Sequence, residues 1–326
     1  MIQPNEMQLS VPMDLSNGVV STTAKVWEIL VASNDGNIDK VKELVNDCPE
    51  LIYAQYNYTP PIHFAVREGH LDLVKYLLDN GAHDPDYKIY PFLDSLNVIA
   101  RDRGYDEIAS LLDQYANEPA RAKYKGDNGR IRITRSDLQK EFQKAVDKND
   151  IERVGQILRN NPEFAHDENY FWGEGILMMP SKSFHLQMME LLMYYGARVP
   201  NILKWTQKYY FERFDSAEYL LEHGMNPDTM SWHHVTILHD MAQKGNIPKA
   251  ELLIKHGAAI NPIENEYQST PLGLAVRWGH KEMVAFLLEQ GADPNLSGAR
   301  WSTPLTWAIR KGYNDVADTL IRAGAN

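Results

Sequence analysis

Along the C-terminal third of the chain, apolar residues fall in short clusters at helical spacing, and glycines punctuate them. Between Thr270 and Gly291, the residues Leu272, Ala275 and Val276 mark one buried face, and Gly279 interrupts the run. Met283, Val284, Phe286, Leu287 and Leu288 then mark a broader stripe that stops at Gly291. The pattern predicts two short helices joined at Gly279. Thr270 is a natural N-cap, and Pro271 at an early helical position has no N–H to leave unsatisfied. Gly291 supplies the left-handed residue that ends the second helix, and Ala292-Asp293-Pro294-Asn295 reads as a turn. Neither helix is long enough to bury its face alone, but stacked copies bury each other.

The same pattern recurs. Thr236, Thr270 and Thr303 are spaced by 34 and 33 residues, and Gly257, Gly291 and Gly324 repeat those spacings. Such a period is the mark of a repeat array. Upstream, residues 23–55, 59–86 and 92–115 give three further helix pairs, the third without a Thr-Pro start. Residues 136–169 resemble the first pair, while 174–200 and 203–228 keep a clear second helix only.

The copies Pro61-Ile62-His63-Phe64-Ala65, Leu238-His239-Asp240-Met241-Ala242, Thr270-Pro271-Leu272 with Gly291-Ala292-Asp293, and Thr303-Pro304-Leu305 with Gly324-Ala325 resemble the ankyrin-repeat motif. Gly273 and Thr306 replace its histidine in the last two copies. The resemblance implies an all-α ankyrin-repeat solenoid of about nine helix pairs. It also implies a concave groove lined by first helices and turn tips, used to recognise other molecules. A fold shared by many binding proteins carries no chemistry of its own.

Residues 116–135 fit no repeat. Asp127-Asn128-Gly129 lies between Tyr124-Lys125 and Ile131-Arg132-Ile133-Thr134, which reads as a β-hairpin insertion. Arg121, Lys123, Lys125, Arg130, Arg132 and Arg135 make it basic. It is either a solvated linker or a finger over a groove. The expected organisation is an N-terminal arm (1–22), three repeats (23–115), the basic linker or hairpin (116–135) and about six repeats (136–326), degenerate over 171–230.

Net charge is -11, which leaves no general excess of cations for phosphates and argues against nucleic acid as the main partner. The lone Cys48 excludes an intrachain disulfide and reads as a small hydrophobe. No apolar run of membrane-spanning length occurs, and residues 1–20 lack the features of a secretion signal. These readings point to a cytoplasmic monomer without a membrane span.

Among candidate functional residues, Arg67, Arg277 and Arg310 occupy one equivalent position on first helices, with Asp102 there in the third repeat. Arg277 and Arg310 belong to adjacent repeats and together suit a carboxylate or phosphate; equally, each can pair with a neighbouring acid. Trp232, Tyr267 and Trp301 precede consecutive helix starts, and Trp278 and Trp307 lie on or beside first helices. Such rings serve as recognition anchors or stacking platforms, or pack on the next turn. Six of the seven tryptophans, Trp172 included, follow residue 170. The candidate binding set is therefore Trp172, Trp232, His233, Tyr267, Arg277, Trp278, Trp301, Trp307 and Arg310. His63, His70, His239 and His280 at motif positions read as structural. No HExxH or CxxC spacing supports a metal site, and no motif calls for a cofactor.

Acid–base chemistry would draw on Asp240 and His233, with Asp102, Glu174, Glu264 and Glu266 as further carboxylates. Whether the chain is an enzyme is left open at this level. The leading expectation is a non-catalytic scaffold that binds a protein or peptide in its groove. The alternative is a protein that binds or processes a small molecule or saccharide through the aromatic and arginine cluster, with Asp240 and His233 as acid–base groups.

Overall fold

The computed structural model describes residues 1–118, 128–204 and 209–326. The described residues divide into two units. One holds Met1 and Glu6–Thr134; the other holds Ile2–Asn5 and Arg135–Asn326.

In the N-terminal unit, β1 (Pro12–Asp14) pairs antiparallel with β2 (Val20–Thr22), in the register Met13 opposite Ser21. Three helix pairs follow: α1 (Thr23–Asn34) with α2 (Ile38–Asp47), α3 (Pro61–Arg67) with α4 (Leu71–Asp79), and α5 (Leu96–Asp102) with α6 (Asp106–Tyr115). Residues 12–22 of the N-terminal arm are thus ordered structure in this unit. Residues 119–127, the first half of the expected hairpin, lie outside the described residues. The second half pairs with the arm: Asp14 N donates to Arg130 O at 2.9 Å, Gly129 N to Asp14 O at 2.8 Å and Arg132 N to Pro12 O at 2.8 Å. The exposed Arg132 also pairs with the buried carboxylate of Asp14.

The C-terminal unit continues with α7 (Asp137–Asp147), α8 (Ile151–Asn160), a short turn of helix α9 (Tyr170–Gly173), α10 (Met178–Ser183), α11 (Leu186–Tyr194) and α12 (Phe214–Glu222). Three regular pairs close it: α13 (Ile237–Lys244) with α14 (Ile247–Lys255), α15 (Pro271–Arg277) with α16 (Lys281–Glu289), and α17 (Pro304–Lys311) with α18 (Asn314–Arg322). The sixth repeat has α12 as its second helix, and its described residues Tyr209–Arg213 form turns rather than a first helix. Strands β3 (Ile202–Leu203) and β4 (Met230–Ser231) pair in parallel, tying the turns on either side of that repeat. The chain is therefore an all-α repeat protein, and among the described residues its strands are confined to small pairs.

First helices stack on first helices, α1 on α3 on α5 and α13 on α15 on α17, and second helices do the same. The sequence sets up each start as predicted. Thr236, Thr270 and Thr303 side chains accept from the backbone N–H three residues on, at 3.3, 3.2 and 3.1 Å. Of the predicted apolar stripe, Leu272, Ala275, Val276, Met283, Val284 and Leu287 are buried, while Phe286 and Leu288 are half-buried.

The histidines after the loop glycines brace neighbouring repeats. His70 Nε2 bonds to Asn34 O at 2.8 Å, and His280 Nε2 bonds to Gln243 O at 2.7 Å. Each ring lies against the preceding repeat's loop glycine, so closely that a Cβ on Gly36 or Gly245 would stand 2.5 or 2.8 Å from its Nδ1. In the fifth repeat Phe184 takes the glycine's place with φ of 52°, and the Arg213 guanidinium lies 5.8 Å from its ring. Among the described residues, no helix is long and apolar enough to cross a membrane.

Candidate functional site in the C-terminal repeats

The turn between α14 and α15 is built around one buried carboxylate. Glu264 Oε1 accepts from Tyr267 N at 3.0 Å and Ser269 N at 3.1 Å, and Oε2 accepts from Glu266 N at 2.6 Å. Burial, then the neighbouring Glu266, pushes the Glu264 carboxyl up to about 7 against those three N–H donors. The preceding turn is joined to this one: Asn265 N donates to His233 O at 3.1 Å, and the His233 ring meets Glu266 Oε1 at 2.8 Å.

This scaffold fixes Tyr267, and Tyr267 fixes Arg277. The guanidinium carbon of Arg277 lies 3.9 Å from the Tyr267 ring centre, 4.3 Å from that of Trp278 and 5.2 Å from that of Trp307. Trp307 donates its indole N–H to Ser269 Oγ at 2.9 Å and meets Trp301 edge-on at 5.9 Å. Arg310 lies 5.8 Å from the outer part of the same cluster, over Trp307. The aromatic and arginine residues of repeats eight and nine thus form one continuous stack with cation–π geometry.

Their exposure differs from the sequence expectation. Trp232, Tyr267 and Trp307 are buried, as are His233 and Arg277, so these side chains form a filled base rather than open groove walls. Trp278 and Trp301 are half-buried, and Arg300, Arg310 and Lys311 are exposed around them. The physical reason is the turn itself. Glu264 folds the Tyr267 turn inward, and Tyr267 and Trp307 pack on each other across the boundary between the eighth and ninth repeats. Trp172 stands apart from this stack, 72% exposed, on a backbone where Phe171, Trp172, Gly173 and Gly175 all have positive φ. Trp205 lies outside the described residues.

The two acid–base candidates have different partners. His233 pairs with Glu266, whereas Asp240 stands 3.6 Å from Lys244 Nζ. Asp240 is fully buried and its carboxylate makes no hydrogen bond, and burial pushes it up to about 7 against the pull of Lys244 and Lys249. His239 is a structural group: its Nδ1 accepts from Thr236 N at 3.1 Å, so the hydrogen is on Nε2, which faces Pro262 O at 3.1 Å and Ser269 O at 3.2 Å. Burial lowers it to about 4, and it is neutral at ordinary pH.

Other candidates have structural partners. Arg67 is buried, bonded to Glu68 at 2.6 Å and Asn34 at 2.7 Å, with its guanidinium 4.9 Å from the Phe64 ring. Glu174 accepts from Lys204 N at 3.0 Å. The Cys48 thiol is raised, first by burial and then by Glu50, which suppresses its thiolate. Ser269 was not singled out from sequence; the only signal for it is the shared Ser-Thr-Pro of residues 269–271 and 302–304. Two cavities lie away from the stack. One of about 300 Å³ in the N-terminal unit is lined by Ile62, Leu78, His83, Lys88, Asn97 and Leu112 among others. One of about 280 Å³ in the C-terminal unit is lined by Leu177, Arg198, Asn201, Leu220, His223 and Asn226 among others.

Comparison with known proteins agrees with this architecture. A family model described as ankyrin repeats (3 copies) matches residues 27–118, 209–298 and 238–326. The chain is 31% identical over 143 residues to palmitoyltransferase ZDHHC13 of Mus musculus, covering 44% of this chain and 22% of that protein. It is 35% identical over 96 residues to palmitoyltransferase ZDHHC13 of Homo sapiens, and likewise to palmitoyltransferase ZDHHC17 of Rattus norvegicus, in each case covering 29% of this chain and 15% of the relative. The chain thus spans about a fifth or less of the length of these curated relatives. With the family model covering more than half of its length, this chain belongs to the ankyrin-repeat family.

Proposed function

We propose that this chain is a recognition scaffold that binds a protein or peptide segment through its C-terminal repeats, without catalysis. One observation carries the reading: Trp278 and Trp301 rise half-buried from a rigid base of Tyr267, Arg277 and Trp307. Half-exposed aromatic side chains on a preorganised base lose little entropy on binding, and Trp, Tyr and Arg dominate interface energetics. Exposed Arg300, Arg310 and Lys311 around the rings favour a segment carrying Asp or Glu beside an apolar anchor. Family membership supports the same reading. The burial of Trp232, Tyr267 and Trp307 weighs against the alternative of a saccharide platform at this place, since a stacking ligand needs an open ring face.

Selection of a random displayed-peptide library on the whole chain tests the proposal. Enrichment of acidic, aromatic-anchored peptides is expected, with binding weakened about tenfold or more by Trp301→Ala or Arg310→Ala and by added salt. Thermal unfolding of both variants should stay near that of the parent. The reading is overturned if no peptide binds saturably, or if both variants bind selected peptides as the parent does.

A further inference from the structure

Five residues before the loop glycine, or the left-handed residue in its place, the first helix carries a side chain that faces the preceding repeat. Trp307 shows this directly, since its partners Tyr267, Ser269 and Arg277 all belong to the eighth repeat. The equivalent residues Phe64, Ile99 and Leu274 are buried and apolar. In the first repeat of each unit the position is more open, with Val31 half-buried and Lys144 exposed. The seventh repeat breaks the pattern by placing Asp240 there, as buried as Phe64 and Leu274. It faces the sixth repeat, whose described residues Tyr209–Arg213 are turns rather than a first helix. An ionised carboxylate at an apolar position, with neither oxygen hydrogen-bonded, is a severe penalty on packing.

The charged groups around it do not neutralise it fully. Lys244, on the same helix, stands 3.6 Å away with its side chain half in solvent. Lys249, on α14, acts from farther off, and its ammonium group is engaged by the carbonyl oxygens of Phe211 and Glu212. Glu212 draws on Lys249 in turn. From α15 the one charged group is Arg277, at the far end and held among the rings of Tyr267, Trp278 and Trp307. Lys249 therefore ties α14 to the turn of the sixth repeat, beside a carboxyl group whose charge burial opposes.

We propose that Asp240 makes the seam between the sixth and seventh repeats pH-sensitive: the seam is closed while the carboxyl is protonated and loosens when it ionises. Loosening admits water to the carboxylate or draws Lys244 inward. The bound Lys249 then loses its fixed place over Phe211 and Glu212. The device is independent of the peptide-binding reading, because it concerns the order of a seam rather than the occupancy of a surface.

Hydrogen exchange of the whole chain, corrected for intrinsic rates and compared at about pH 6 and about pH 8.5, tests it. In the parent, protection in peptides spanning 209–213 and 237–249 should fall about tenfold or more at the higher pH. In Asp240→Asn it should be the same at both, and Asp240→Leu, with the residue of the eighth repeat, should behave like Asn. A measurement on the parent alone guards against variants that fail to fold: the carboxyl carbon shift of Asp240 by NMR and the seam protection should share one midpoint. The proposal is overturned if Asp240→Asn keeps the parent's pH dependence, or if the two midpoints differ.

Discussion

The indole N–H of Trp307 donates to the hydroxyl oxygen of Ser269 across 2.9 Å, joining the ninth repeat to the turn of the eighth, with both side chains fully buried. Trp307→Phe removes the donor and Ser269→Ala removes the acceptor. Each should destabilise the chain by about 1–3 kcal/mol, because a buried polar partner is left unpaired. The double variant should cost less than the sum by about 0.5–1.5 kcal/mol. Denaturant unfolding of the four proteins measures the coupling, and strict additivity would mean that the bond contributes nothing to stability.

Glu264 organises the turn below this bond. Glu264→Ala strips the acceptors from the N–H groups of Glu266, Tyr267 and Ser269. A loss of about 3 kcal/mol or more is expected from three buried donors. Tryptophan emission should shift as Trp307 loses its fixed neighbour Tyr267. An unchanged melting temperature in Glu264→Ala would contradict this account of the turn.

Acidification should act on His239 in a definite direction. Its folded-state value, about 4, lies below the ordinary 6.5, so the unfolded chain takes the proton first. The stability it contributes is complete above about pH 6.5 and is lost as the pH falls through about 4, by on the order of 3 kcal/mol. Asp240 and Glu264, raised to about 7, act oppositely: their folded forms hold the proton more tightly, so stability grows as pH falls from about 7 towards the ordinary carboxylate range. The parent should therefore still gain stability as pH falls from about 6.5 to about 4, with the slope of one net proton, and His239→Asn should steepen that rise to the slope of two. Urea unfolding across that range reads both slopes, and identical slopes would refute the assignment.

Gly245→Ala tests the brace between repeats. The residue has φ of 64°, and the added methyl would meet the His280 ring at 2.8 Å. Strain and the displaced contact from His280 to Gln243 should together cost about 1–3 kcal/mol. Adding His280→Ala removes the clash, so the pair should be less damaging than the sum. Full additivity would show that the methyl is accommodated without moving the ring.

The repeat, its helix starts and its core were legible from local rules. Threonine caps, an early proline, apolar spacing and glycine stops act within one helix pair, and every one of them reappears at the predicted place in α13 to α18. In the sequence the motif lapses over residues 116–135 and resumes near Ser136; what those residues pair with is a separate matter. The pairing of residues 129–132 with the distant arm at 12–14 was not legible, since an Asn-Gly turn carries no record of which strand it will meet. Burial of the turn aromatics was decided in the same way. The sequence placed Trp232, Tyr267 and Trp301 before helix starts, but only the stack decided that Trp232 and Tyr267 are covered and Trp301 is half-buried, with the inward fold of the Glu264 turn covering Tyr267. Likewise Asp240 was visible as an acid beside the motif histidine. That it stands buried where neighbouring repeats have Phe64, Leu274 and Trp307 required the stack, because burial at that position comes from the preceding repeat. Local propensity fixed the elements; contacts between repeats fixed which side chains are left to meet a partner.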